Sequence, residues 1–234
     1  MTDVDNTKRY LNMLYNCLHM PCTKNIHNIS YEILGARIEF LPHEHIECAN
    51  EDYIKHELEW YKSHDLNIQN HPGIENNKIW QNCATLDGKV NSNYGWCIWS
   101  NDNNNQFERA IYAIINDNMT KQAVMIYSRP TINTEWSDGV HANHDMICTI
   151  YTSAILRDGL LYLLVHMRSN DIWYGLRNDL AWQQYVQEEM VRILNDKGVK
   201  CECGKIIWNA DSLHLYDRNF GEARKLLQEK GYII

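Results

Sequence analysis

No apolar run in this chain approaches the roughly 20 residues that a helix needs to cross a bilayer. The start, Met1-Thr2-Asp3-Val4-Asp5-Asn6, is polar and acidic, unlike a signal peptide, so no secretory leader is expected. The eight cysteines are therefore expected as reduced thiols, in a cytoplasmic protein. Positive charge is in deficit, with 22 Lys and Arg against 30 Asp and Glu and a net charge of -8. That balance argues against broad nucleic-acid binding, so an anionic ligand would need a local basic pocket. There is no linker-like stretch, no internal repeat, and no low-complexity segment beyond the asparagines at 101–105. Without a linker, the 234 residues read as one domain (1–234) rather than two small ones.

Apolar and aromatic residues are plentiful: 44% of the chain is hydrophobic and eight residues are tryptophan, enough for a sizeable core. Apolar residues at helical spacing predict helices over 10–20 (stopped by Pro21), 53–64, 107–116, 180–197 (stopped by Gly198) and 220–230. Strand composition predicts 31–34 and 37–40 on either side of Gly35-Ala36, then 123–127, 146–156, 160–165 and 206–208. Arg157-Asp158-Gly159 reads as the turn of an antiparallel hairpin. Polar loops are expected at 65–77, at 102–106, and from Ser128-Arg129-Pro130 through Trp136, Ser137, Asp138, Gly139 and the histidines beyond. The class is α+β with a mixed sheet. His43-Glu44-His45 has metal-like spacing but lacks a second ligand cluster, so a solvated loop and no metal are expected.

One group of residues suited to chemistry follows the apolar run that begins at Leu160. Arg168-Ser169 offers a planar guanidinium fork and a hydroxyl, a pair suited to a phosphate; a surface salt bridge and turn is the alternative. Glu57 lies beside the expected core stripe Ile54, Leu58, Tyr61 of its helix, where a carboxylate is either functional or not truly buried. Gly95 sits among Tyr94, Trp96 and Trp99, as it would for close approach to a flat ligand or within an aromatic core. Cys148 is a nucleophile candidate or a small core residue.

Taken together these segments resemble the thymidylate synthase superfamily. The phrase from Glu57 to Ile68 resembles that family's helix bearing the catalytic glutamate, and Ile79-Trp80 and Tyr94-Gly95 resemble its folate-side tryptophan and active-site tyrosine-glycine. Cys148 precedes Arg168 by twenty positions, as nucleophile precedes phosphate arginine in the family. Arg168-Ser169-Asn170-Asp171 with Gly175, and His214-Leu215-Tyr216, match its phosphate, pterin and sugar signatures. The resemblance implies the thymidylate synthase fold, a large mixed β-sheet flanked by helices. It also implies a homodimer and 5,10-methylenetetrahydrofolate as co-substrate for one-carbon transfer to carbon 5 of a pyrimidine nucleotide.

Carried over residue by residue, it makes Cys148, Glu57 and Asp179 catalytic. Arg168, Ser169, Asn170, Asp179, His214, Tyr216, Tyr94, Lys24 and Lys121 would bind the nucleotide, and Trp80, Asp171 and Gly175 the folate. Asp179 stands where the synthases have an asparagine that reads uracil. A carboxyl group complements cytosine instead, accepting from its amino group and sharing a proton with ring nitrogen 3; a helix cap is the alternative use. Asn178-Asp179 and the phrases 57–63, 91–96 and 207–209 resemble the branch of the superfamily that hydroxymethylates deoxycytidylate. The expected product is therefore 5-hydroxymethyl-dCMP. Methyl transfer to dCMP, a CMP substrate, and a non-catalytic nucleotide- or RNA-binding relative stay open. Lys121-Gln122 replaces the family's paired phosphate arginines, Lys24 its N-terminal one, Thr149 follows the cysteine in place of histidine, and 231–234 does not resemble the synthase tail.

Overall fold

The computed structural model describes residues 4–24, 28–137 and 144–234. In chain order the first elements are α1 (Asn6–Leu18), β1 (Cys22–Lys24), β2 (Ile29–Phe40), α2 (Glu51–Ser63), α3 (Lys78–Cys83), α4 (Tyr94–Trp99) and α5 (Gln106–Asn116). They continue with β3 (Val124–Ile126), α6 (Ile132–Ser137), β4 (Thr149–Arg157), β5 (Leu160–Met167), β6 (Asn170–Asp171), α7 (Gly175–Asp196), β7 (Glu202–Tyr216) and α8 (Phe220–Glu229). Two compact units result: one from Met1–Ala49 with Arg157–Ile234, the other from Asn50–Leu156. No helix among the described residues is long and apolar enough to cross a membrane.

In the first unit β7 is the axis of a mixed sheet. It pairs antiparallel with β2 over Ser30↔Tyr216 to Phe40↔Ile206 and parallel with β5 over Leu160↔Glu202 to Met167↔Ala210. Beyond β5, the two residues of β6 take over on the same side, Asn170↔Leu213 and Asp171↔His214. β5 buries alternate residues, Leu161, Leu163, Val165 and Met167, as a strand with one fully covered face must. α7 contributes Leu176 and Leu180, then Val186, Met190 and Leu194, each group at i, i+4 spacing on one face. A register shift lies between Leu161 and Leu163, and buried Gln187 of α7 bonds the carbonyls of Leu161 and Gly204 there. The polar side chain thus satisfies backbone groups that the irregularity would strand.

Several boundaries differ from the sequence expectation, three of them with consequences for the site. β2 runs unbroken through Gly35 (φ +66), and β7 continues from Glu202 to Tyr216, because long-range pairing carries each strand past its weak segments. α7 begins at Gly175, five residues before the expected start, and its N-cap position, Tyr174, makes no side-chain cap bond. Asp179 therefore lies inside the helix and does not cap it. Asp158 and Gly159 both have positive φ, the backbone of a tight hairpin turn, within the turn expected at Arg157-Asp158-Gly159.

In the second unit, α2 buries Glu57, Trp60 and Tyr61 rather than the expected stripe of Ile54, Leu58 and Tyr61, so Glu57 is central to the inward face. β3 pairs antiparallel with β4 and buries only Met125; Val124 and Ile126 are exposed, so the strand is half-buried rather than buried throughout. Part of the expected loop after Pro130 is α6, and its residues 138–143 lie outside the described residues. Gly95 does permit a close approach, but to protein backbone. A Cβ there would fall well inside van der Waals contact with the Tyr61 carbonyl oxygen and 2.6 Å from its carbon. Gly95→Ala is expected to force α2 and α4 apart and lose roughly 3 kcal/mol or more in urea unfolding. A loss under about 0.5 kcal/mol would mean that the contact is not held in solution.

Candidate active site

The unit containing α2 carries Glu57, Trp80, Tyr94, Lys121 and Cys148. Glu57 is almost fully buried, and the Tyr53 hydroxyl one turn earlier donates to its Oε1 at 2.9 Å. The Trp80 indole N–H in turn donates to the Tyr53 oxygen at 2.8 Å. Tyr61 also hydrogen-bonds Glu57, and its ring stacks on that of Tyr94 at 5.1 Å. Glu57, Trp80 and Tyr94 are thus linked through Tyr53 and Tyr61; the sequence reading gives Tyr61 only a core role and Tyr53 none, although their i−4 and i+4 positions relative to Glu57 are the signal that marks them.

Burial pushes the Glu57 carboxyl up to about 7, against the opposing hydrogen bonds from Tyr53 and Tyr61. In the unfolded chain the group ionises around its ordinary value of 4.5, while the folded protein holds the proton until about 7. Between those values the unfolded state binds fewer protons, so stability contributed below pH 4.5 is lost progressively as pH rises through 7. The loss is on the order of 3 kcal/mol, at about 1.4 kcal/mol per pH unit. Glu57→Gln should remove this slope from unfolding free energies measured between pH 5 and 8. Equal slopes in the two proteins would show that Glu57 is ionised in the fold.

Cys148 is half-buried immediately before β4, its thiol 3.8 Å from the Met146 carbonyl oxygen. The segment leading to it is fastened by Asn91 and Ser92. Ser92 donates from its backbone N–H (2.6 Å) and hydroxyl (2.7 Å) to the buried Asp145 carboxylate, and Asn91 donates to the Asp145 carbonyl (3.0 Å). Arg129 holds the other end of the Asn91 amide at 2.9 Å. Asn93 caps α4 and donates to the carbonyls of Trp60 and Asp65. The run Asn91-Ser92-Asn93 is therefore a set of anchors for the cysteine segment and for α4. Lys121 is exposed in the turn before β3.

The unit containing β7 carries the remaining predicted residues. β5 ends at Met167 and delivers Arg168 and Ser169, both half-buried, to the connection with β6. The Trp208 indole N–H donates to Asn170 Oδ1 at 3.2 Å, and Asn170 Nδ2 donates to Asp179 Oδ2 at 2.9 Å. Gly175 begins α7 beneath this pair: a Cβ on it would lie 3.3 Å from Asn170 Nδ2 and 3.4 Å from Asp179 Oδ2. Asp171 accepts from the Trp173 backbone N–H at 2.8 Å and faces Arg218 at 3.5 Å. Burial nevertheless holds its carboxyl above the usual range, with the Trp173 bond and the nearby His214 opposing.

His214 is shifted the other way, burial lowering its pKa so that the ring favours the neutral form. The Ser212 hydroxyl donates to Glu32 across the β2–β7 pair and lies 3.2 Å from His214 Nδ1. Because the serine proton is committed to a carboxylate, Nδ1 is the protonated nitrogen and Nε2 the acceptor. The Tyr216 ring packs edge-on to His214 at 4.7 Å, with Arg218 over its face. Glu32 and Ser212 were invisible in the sequence, since 180 positions separate them. Lys24 ends β1 and is exposed. In the loop after β2, Glu44 takes the backbone N–H of Asn6 and His43 pairs with Glu188. Among the described residues, no cluster of three His, Cys, Asp or Glu is placed to hold a metal ion.

Comparison with known proteins bears on the whole arrangement. Deoxycytidylate 5-hydroxymethyltransferase of Enterobacteria phage T4 is 42% identical to this chain over 176 residues, covering 74% of this chain and 70% of the relative. The protein of the same name from Enterobacteria phage T6 matches to the same extent. Thymidylate synthase of Buchnera aphidicola subsp. Baizongia pistaciae is 24% identical over 187 residues, 77% of this chain and 66% of that protein. The thymidylate synthase family model matches residues 46–233, reaching into both compact units and including every predicted site residue except Lys24. The chain belongs to the thymidylate synthase family.

Proposed function

We propose that this protein is a deoxycytidylate 5-hydroxymethyltransferase, a single catalytic domain that works as a cytoplasmic homodimer. The observation that carries this reading is Asp179, an acceptor carboxylate at the base-reading position, held by the Asn170 amide at 2.9 Å. The names and 42% identity of the phage relatives support it.

In this reading the Cys148 thiolate adds to carbon 6 of dCMP, and the displaced π electrons make carbon 5 nucleophilic. Asp179 accepts from the cytosine amino group and supports the proton at ring nitrogen 3 as charge develops. Arg168 and Ser169 take the phosphate, with Lys24 and Lys121 adding charge. His214 Nε2 accepts from a sugar hydroxyl beside Tyr216, and Tyr94 borders the base.

A reduced pterin fits the remaining side chains: Asp171 is a half-buried carboxylate acceptor for ring N–H groups, and Trp80 is a half-buried aromatic surface already anchored through its indole N–H. Gly175 borders Asp171, its Cβ position 3.7 Å from that of the aspartate. When bound, 5,10-methylenetetrahydrofolate supplies one carbon at the oxidation level of formaldehyde. Once that carbon is on the pyrimidine as a methylene group, Glu57, its carboxyl near 7, manages the proton of an entering water. The carbon 5 proton is already lost as the folate departs; water oxygen bonds the methylene carbon and gives its proton to Glu57, and the electron pair returned to carbon 5 restores the ring double bond as the carbon 6–sulfur bond breaks. No oxidant or reductant is consumed.

Mass spectrometry of dCMP incubated with methylenetetrahydrofolate tests the reading. Hydroxymethyl-dCMP with tetrahydrofolate is expected. A methyl product with dihydrofolate would make the protein a methyltransferase instead, and product from CMP alone would move the substrate to the ribonucleotide.

A further inference from the structure

We infer that Trp208 and Asn170 form a one-way lock on residue 179, so that the direction of the Asn170 amide sets which base the protein prefers. An indole N–H can only donate, so the Asn170 atom facing Trp208 at 3.2 Å is the carbonyl oxygen. The amide cannot turn over without pointing its NH2 at another donor in a buried place; Trp208 is fully buried and Asn170 nearly so. Its NH2 is thereby aimed at residue 179, and whatever occupies that position must answer with an acceptor. Gly175, one helical turn before Asp179, leaves the room for Asn170 to reach in, since a side chain there would press on both partners. Asp179 meets the demand with either oxygen and stays an acceptor at its other one. An asparagine at 179 would be forced to turn its oxygen toward Asn170 and its NH2 away. Asn170 and Trp208 are thus positioning residues that act through residue 179.

The inference rests on the proposed reading of cytosine, and its test separates the two. In Asp179→Asn the lock presents an NH2, which suits the uracil carbonyl. In the double variant Asn170→Asp, Asp179→Asn the partner has become an acceptor that Trp208 can still satisfy. The amide at 179 must then reverse and present oxygen, as the natural aspartate does. Dissociation constants for dUMP and dCMP, measured by titration, should therefore differ in their ratio at least tenfold between the single and double variants, with the double variant back toward dCMP. Equal ratios in two folded proteins overturn the lock, while a wild-type protein that binds neither nucleotide overturns the functional reading instead.

The lock also has a readout without ligand. The 15N–1H resonance of the Trp208 indole, assigned by its loss in Trp208→Phe, should move downfield when Asn170→Asp places a carboxylate on it and stay in place in Asp179→Asn. A resonance indifferent to Asn170→Asp overturns the inference whatever the nucleotide results.

Discussion

Replacing Cys148 with alanine should lower turnover of dCMP on the order of 10^4-fold or more while nucleotide binding stays measurable. The substitution deletes one sulfur from a half-buried position whose backbone is held independently by Asn91, Ser92 and Asp145, so the local fold has no reason to change. What is lost is the bond to carbon 6, and without it carbon 5 of a pyrimidine is not nucleophilic enough to accept a carbon unit. Single-turnover kinetics and calorimetric binding to the same preparation check the two halves of the expectation. Unchanged turnover would remove Cys148 from the chemistry and with it the covalent route. Loss of binding and turnover together would make it a structural residue.

The second large effect is expected from Asp179→Asn, read as kcat/KM. The variant should favour dUMP over dCMP, shifting the ratio of their kcat/KM values by at least about 10^2-fold. The size follows from what the wrong base leaves unpaired: a site built to hydrogen-bond one pattern strands its own polar groups when the pattern is inverted. Helix stability is not expected to enter, because Asp179 lies inside α7 and does not cap it. A variant that keeps full preference for dCMP would show that cytosine is recognised elsewhere, and the reading built on residue 179 would fall.

Where the chain's local patterns are strong, they anticipate the structure closely. The helices α1, α2, α5 and α8, the apolar strand β5 and the turn at Asp158-Gly159 follow from apolar spacing and from the residues that stop each element. Glu57 was marked by its place beside an apolar stripe, and Cys148, Arg168, Asp179 and His214 by spacing within a family pattern. Contacts of short separation, such as Tyr53 with Glu57, are written in the i, i+4 rule.

Other features were settled by pairing across long stretches of chain. The partnership of Glu32 with Ser212 and the tautomer of His214 exist because β2 and β7 run antiparallel with Glu32 opposite His214. The lock of Trp208 on Asn170 spans 38 positions and depends on two short strands lying in succession along β7. Gly95 announced a close approach, yet that its neighbour is the backbone of α2 rather than a ligand is a matter of helix packing. Local sequence carries backbone propensity and periodicity, which act within about one turn or a few residues of a strand. The direction of a buried hydrogen bond, and the pKa of a carboxyl sealed from water, depend on atoms that the chain brings near only when it folds.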